Sequence, residues 1–186
     1  METVGIGFFF EDLPVGRQFK TIGRTVTEAD ITNFVNATGM VEVLFTNIEF
    51  LKEESDIKKR VAPGALGYTF AEGLLVQSTM QHTGFAFLHM ELDIKAPVFA
   101  GDTIHVECEV IESRRSKSRP NRGLVRTRNV VRKHDGTPCL TYTPLRMVKA
   151  RTPDWRTCGF SMASTSRRSV STPKPAAPRS SAWCTR

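Results

Sequence analysis

The chain has 186 residues, 40% hydrophobic and 24% charged, enough for one domain with its own core. Its formal net charge is +7, but six of those charges fall from Arg151 onward, so the first 150 residues carry no field that calls for nucleic acid. No apolar run approaches a membrane span, no signal peptide is legible, and the four cysteines have neither metal nor disulfide spacing, so a cytoplasmic protein without membrane contact is expected.

Residues 1–16 read as a lead-in, with Phe8, Phe9 and Phe10 as an apolar anchor and a turn at Leu13-Pro14-Val15-Gly16. A first strand is expected over 18–26. Thr27 then offers an N-cap with Asp30 three residues on, the spacing of a capping box. A short helix follows over 28–38, with Ile31, Phe34 and Val35 as its apolar face and Gly39 as its stop.

The stretch 61–81 organises the rest. Ala62-Pro63-Gly64 is a breaker cluster, and Pro belongs in a first helical turn because its missing N–H has no partner there anyway. A helix is expected from Pro63 or Gly64 to about residue 81. It is apolar on nearly all sides, so burial is expected. Its few polar groups, Tyr68, Thr69, Glu72 and Gln77, then need partners or a task.

Beyond it come strands, expected over 85–98, 102–113, 123–134 and 138–149. Ile104, Val106, Cys108 and Val110 alternate with His105, Glu107 and Glu109, the period of a half-buried strand. Ala100-Gly101-Asp102 and His134-Asp135-Gly136 read as turns. A buried helix followed by an antiparallel meander predicts an α+β hot-dog fold, a long sheet wrapped around a central helix. The domain is expected over 17–150. Residues 151–186 are rich in Ser, Thr, Pro and Arg without periodicity, so a disordered basic tail is expected, either an interaction arm or an aberrant C-terminus.

Several segments together resemble the MaoC-like acyl dehydratase family, which includes the (R)-specific enoyl-CoA hydratases. They are Phe10-Glu11-Asp12-Leu13-Pro14-Val15-Gly16, the run from Arg24 through Ile31 with Phe34, Ala62-Pro63-Gly64-Ala65-Leu66, and Pro97-Val98-Phe99-Ala100-Gly101-Asp102-Thr103-Ile104. The resemblance covers residues 8 to about 149. It implies an acyl-CoA thioester as substrate, no separate cofactor or metal, and a homodimer or larger assembly, hetero-oligomers included.

The resemblance also carries a departure. The family's hydratases place an Asp and a His just after the short helix to activate water. Here Met40 stands at the Asp position, Glu42 at an Asn position and Phe45 at the His position. Met and Phe cannot exchange protons with water. Glu42 and Glu72 are the candidate replacements. Glu72 lies eight residues after Gly64 in an apolar helix, where a carboxylate is expected to be desolvated and to titrate abnormally. That spacing is similar to a hot-dog thioesterase motif, with Pro63 in place of its His.

Gly64 is the candidate oxyanion donor, because a helix N-terminus presents free N–H groups at the positive end of its dipole. Met40, Phe45 and Tyr68 are expected to face the substrate. The histidines at 82, 89, 105 and 134 lack metal-ligand spacing. The loop from Arg114 to Arg119 reads as a solvated hairpin tip, or as a contact for nucleotide phosphates of coenzyme A. Three functions remain: a hydratase or dehydratase with a non-standard site, an inactive acyl-CoA-binding or structural subunit, and a thioesterase using Glu72.

Overall fold

The computed structural model describes residues 1–151; the expected tail from residue 152 lies outside the described residues. A 3-10 turn, Phe10–Asp12, precedes two short strands, β1 (Gln18–Lys20) and β2 (Arg24–Thr25), and helix α1 (Glu28–Thr38). Two short helices follow, α2 (Val43–Thr46) and α3 (Ile48–Glu53), then the central helix α4 (Gly64–Leu75), which continues as a π-helical turn, Val76–Met80. The remaining strands are β3 (Gly84–His89), β4 (Leu92–Ile94), β5 (Thr103–Arg115), β6 (Arg122–Lys133), β7 (Pro138–Tyr142) and β8 (Leu145–Lys149).

Helix α1 begins and ends as its sequence requires. The Asp30 N–H donates to the Thr27 hydroxyl at 3.1 Å, and the Thr27 N–H donates to the Asp30 carboxylate at 2.8 Å. Gly39 closes the helix in the left-handed conformation, φ 71°. Residues 43–53, to which the sequence assigned no element, form two short helices. Their N-caps are side chains: Glu42 accepts from the Leu44 N–H, and Asn47 from those of Glu49 and Phe50. At four and six residues these helices are too short to leave an apolar period in the sequence.

All eight strand segments form one antiparallel sheet. The pieces β1 and β2 lie along β5, β5 pairs β6, and β6 pairs both β7 and β8, which pair β4 and β3 in turn. Three strands expected as single runs are therefore broken. Around Thr21, whose N–H and hydroxyl both bond Val106, the exposed Ile22 and Gly23 leave the ladder. Pro144 has no N–H to continue a ladder, which separates β7 from β8. The matching break at Met90-Glu91 faces it, and the Thr143 N–H donates to the Glu91 carbonyl at 3.0 Å.

The helix packs on the sheet's inner face. Leu66, Ala71, Leu74 and Leu75 meet Ile104, Val106 and Cys108 of β5, Val131 of β6, and Leu140 and Tyr142 of β7. The alternation of β5 is visible: Ile104, Val106, Cys108 and Val110 are buried. Each fully buried Leu or Val here contributes about 1.5–3 kcal/mol relative to exposure. The helix is not covered all round, however. Thr69, Gly73, Val76 and Gln77 form an exposed stripe, because the sheet cradles one side of the helix only. A helix held in the concavity of an antiparallel sheet is the hot-dog architecture.

Candidate functional site

The start of α4 is pinned by its neighbours. Val61 bridges to Phe99, and the Ala62 N–H donates to the Val98 carbonyl at 2.8 Å. Pro63 takes the N-cap and supplies no side-chain cap; its carbonyl accepts from the Leu66 N–H. The N–H groups of Gly64 and Ala65 have no acceptor among the described residues. They point out of the positive end of the helix.

Beside this end lies a cleft of about 290 Å³, walled by Phe45, Val61, Ala62, Ile94, Val98 and Leu140. Lys95 is the one ionisable residue among its described lining, and its ammonium pairs with Asp93 at 3.2 Å. Ile94 lies over Gly64 so closely that a Cβ added there would stand 2.5 Å from the Ile94 Cδ1. Glycine at 64 therefore keeps the helix amide accessible from the cleft.

The other sequence candidates are distributed around this point. Phe45 lines the cleft. Met40 is exposed, at 42%, in the turn after α1. Glu42 is exposed and occupied in capping α2, accepting from the Leu44 N–H at 2.8 Å. Glu72 lies roughly 12 Å farther along α4 than Gly64, at 1.5 Å per residue. The structure thus brings Gly64 and Phe45 to one cleft and places Glu72 in a different environment.

The sequence marked Glu72 as a carboxylate in need of a partner inside an apolar helix, but not that Arg146 and Tyr142 supply one. The Arg146 Nη2 donates to both Glu72 oxygens, at 2.6 and 2.7 Å, and the Tyr142 hydroxyl donates to Oε1 at 2.8 Å. Tyr68 meets the Tyr142 ring edge-on, with centroids 5.4 Å apart. Burial, then the nearby Glu72 charge, holds both phenols above the usual tyrosine range. The sequence signal on the strand side was an Arg inside the otherwise apolar run Leu145, Met147 and Val148.

Two arginines at the base of the basic loop are ion-paired. Arg114 pairs with Glu112 and Arg115 with Glu11. Among the described residues no cluster of His, Cys, Asp or Glu has metal-binding geometry, and no helix is long and apolar enough to cross a membrane.

Residues 11–133 match the family described as MaoC like domain. No curated protein matches the chain in sequence. Among solved structures it is similar to a MaoC-like dehydratase from Rhodospirillum rubrum, at 28% identity and TM-score 0.71, covering 78% of this chain and 99% of that one. It is similar as well to a monoamine oxidase regulatory protein from Archaeoglobus fulgidus, at 27% identity and TM-score 0.69, covering 78% and 97%. An R-hydratase, PhaJ1 from Pseudomonas aeruginosa, shares the fold at 21% identity and TM-score 0.63, covering 78% and 88%. With more than half its length matched, this chain belongs to the MaoC-like domain family.

Proposed function

We propose that this protein is an acyl-thioester-binding member of the hydratase–dehydratase type, whose own cleft holds the thioester but supplies no acid–base pair. The observation that carries this reading is the free Gly64 N–H at the mouth of an apolar cleft. A thioester carbonyl seated there accepts from the helix end, and its acyl chain lies against Phe45, Val98 and Leu140. A dehydratase among the similar structures supports the hydratase–dehydratase type. Proton transfer needs an ionisable group within hydrogen-bond reach of the reacting carbon. The described lining offers Lys95 alone, already paired with Asp93, while Met40 and Phe45 stand where the resemblance implies Asp and His.

Any missing acid or base then falls to a partner chain. The β3–β4 edge exposes Phe85, Phe87, Leu88, Leu92 and Ile94, and an unpaired edge of this kind invites a further strand. Ile94 is shared between that edge and the cleft. A second chain paired there would border the bound thioester, and a related subunit, rather than a copy, would bring the missing acid or base. The thioesterase reading asks more of Glu72, which must first leave Arg146 and Tyr142.

The test uses the full-length protein with crotonyl-CoA, followed by calorimetry for binding and by loss of enoyl-thioester absorbance for hydration. Release of coenzyme A from saturated acyl-CoAs is followed with a thiol reagent. The expected result is binding without hydration or release. Hydration by the protein alone would show that its own residues complete the site, and coenzyme A release abolished by Glu72→Gln would make it a thioesterase. No binding of any acyl-CoA sinks the assignment.

A further inference from the structure

Strand β6 carries four arginines, and three of them hold a glutamate of β5. Arg126 pairs with Glu112, Arg128 with Glu109 and Arg132 with Glu107. The fourth, Arg122, has no carboxylate partner among the described residues. Its Nη1 donates instead to the Met147 Sδ on β8, at 3.5 Å. A thioether is a weak acceptor. The Arg122 Nε is buried and has no partner at all among the described residues. A half-buried cation is thus aimed at sulfur, with one donor used poorly and another unused.

The two side chains share a face of the sheet. Leu124 and Met147 are in register across β6 and β8, and Arg122 precedes Leu124 by two residues. Arg122 and Leu124 alternate with the buried Gly123 and Val125, and Met147 precedes the buried Val148. The face they share therefore lies opposite the one that packs Val125 and Val148 with Leu13 and Val110. The Phe85 ring backs the guanidinium, 4.2 Å from Cζ to its centroid, and holds it in place.

A half-buried thioether on an outward face is open to a peroxide. A sulfur lone pair attacks one peroxide oxygen, an S–O bond forms and the O–O bond breaks. The hydroxide released takes the proton from the delivered oxygen and leaves as water. Sulfur loses two electrons and the peroxide gains them. In a packed surface such a product is ordinarily disruptive, because a polar group replaces an apolar one. At Met147 the new oxygen arrives where a guanidinium already points. It accepts from Nη1 in place of sulfur, and it lies beside the unused Nε. Hydrogen bonds from a cation to oxygen are roughly twice as strong as neutral ones.

We propose that Met147 is a reversible oxidation site, at which a peroxide makes a sulfoxide that Arg122 holds through Nη1 and Nε. Methionine sulfoxide is returned to the thioether by reductases, so the pair has two states, and the oxidised one is the more firmly bonded. The site does not rest on the acyl-thioester assignment.

The test treats the full-length protein with hydrogen peroxide. Peptide mass spectrometry reads the oxygen at each methionine, and thermal unfolding reads stability. Met147→Leu, treated identically, subtracts the effect of the other methionines. Met147 is expected to gain one oxygen under conditions that convert Met40, which is 42% exposed. That oxygen should raise the thermal midpoint by about 2–4 °C. In Arg122→Met the same oxygen should lower it. Met147 left unmodified when Met40 is fully converted overturns the proposal. So does a midpoint that its oxygen lowers or leaves unchanged in the wild type, or a rise that persists in Arg122→Met. If that variant does not fold, Met147→Gln decides, its amide oxygen standing in for the sulfoxide. Its midpoint should exceed that of Met147→Leu by about 2 °C, and an equal or lower one overturns the proposal.

Discussion

Glu72 on α4 and Arg146 on β8 are locked together through a single guanidinium nitrogen that reaches both carboxylate oxygens, at 2.6 and 2.7 Å. Their side chains are only 15% and 11% exposed, so the pair is screened little by solvent. It ties the central helix to a strand 74 residues away in sequence. Removing one partner strands the other. Arg146→Met is expected to destabilise the fold by about 3 kcal/mol, and adding Glu72→Leu should recover part of that loss. Urea unfolding of the two single variants and the double variant measures the coupling; strictly additive losses would show that the pair contributes nothing of its own.

The amide of Gly64 can be blocked without unfolding the helix. In Gly64→Ala the new methyl meets the free end of Ile94, which is 59% exposed and has room to turn away. Stability should change by about 0.5 kcal/mol or less. Acyl-CoA affinity should fall about tenfold, because the methyl occupies the approach to the helix amide. Calorimetric titration beside thermal unfolding separates the two effects, and an unaltered affinity would remove Gly64 from the site.

Gly123 answers to a different neighbour. A Cβ at this position of β6 would run into the Phe10 ring, which packs with Leu13, Val110, Val125 and Val148. The ring is stiff and backed by that cluster, so it cannot yield as Ile94 does. Gly123→Ala is expected to cost about 1–3 kcal/mol and to loosen the segment that carries Phe10. Faster proteolysis near Phe8-Phe9-Phe10, with a lowered urea midpoint, is the signature to look for.

Acid should weaken α1 through its capping box. The Thr27 hydroxyl, then the Thr27 backbone N–H, holds the Asp30 carboxyl below its ordinary value of 3.8. A depressed folded value stabilises the native state above the unfolded value, and that stabilisation is lost as pH falls through the folded value. Thr27→Ala should cost about 1 kcal/mol at neutral pH. It should also flatten the decline in stability between about pH 5 and pH 2. A decline as steep as in wild type would show that other carboxylates dominate.

The exposed β3–β4 edge makes a prediction about assembly. Phe87→Asp or Leu92→Asp places a charge on the apolar strand face where a second chain would sit. Light scattering after size exclusion should show a wild-type dimer or larger species and a monomeric variant. Equal masses would move the interface elsewhere.

Much of the architecture was written in local patterns. Thr27, Asp30 and Gly39 bound α1 because capping depends on residues three or four positions apart. The alternation in β5 announced its buried face, and Pro63-Gly64 announced the start of α4. The breaks at Thr21 and at Met90-Glu91 were not legible, since each is set by a strand distant in sequence. Pro144 is a local signal for the third break, since it has no N–H to give a ladder, yet the strand was expected unbroken over 138–149.

Chain order alone determined that this protein would build a capped helix, a central apolar helix opening on glycine, and an antiparallel sheet of the hot-dog type. Those features rest on near neighbours, whose geometry the backbone dictates. Tertiary structure alone decided that Glu72 faces Arg146 rather than the Gly64 cleft, and that Asn129 lies fully buried on the inner face of β6. Charge pairing and burial arise between residues far apart in the chain, and only the folded sheet brings them within reach.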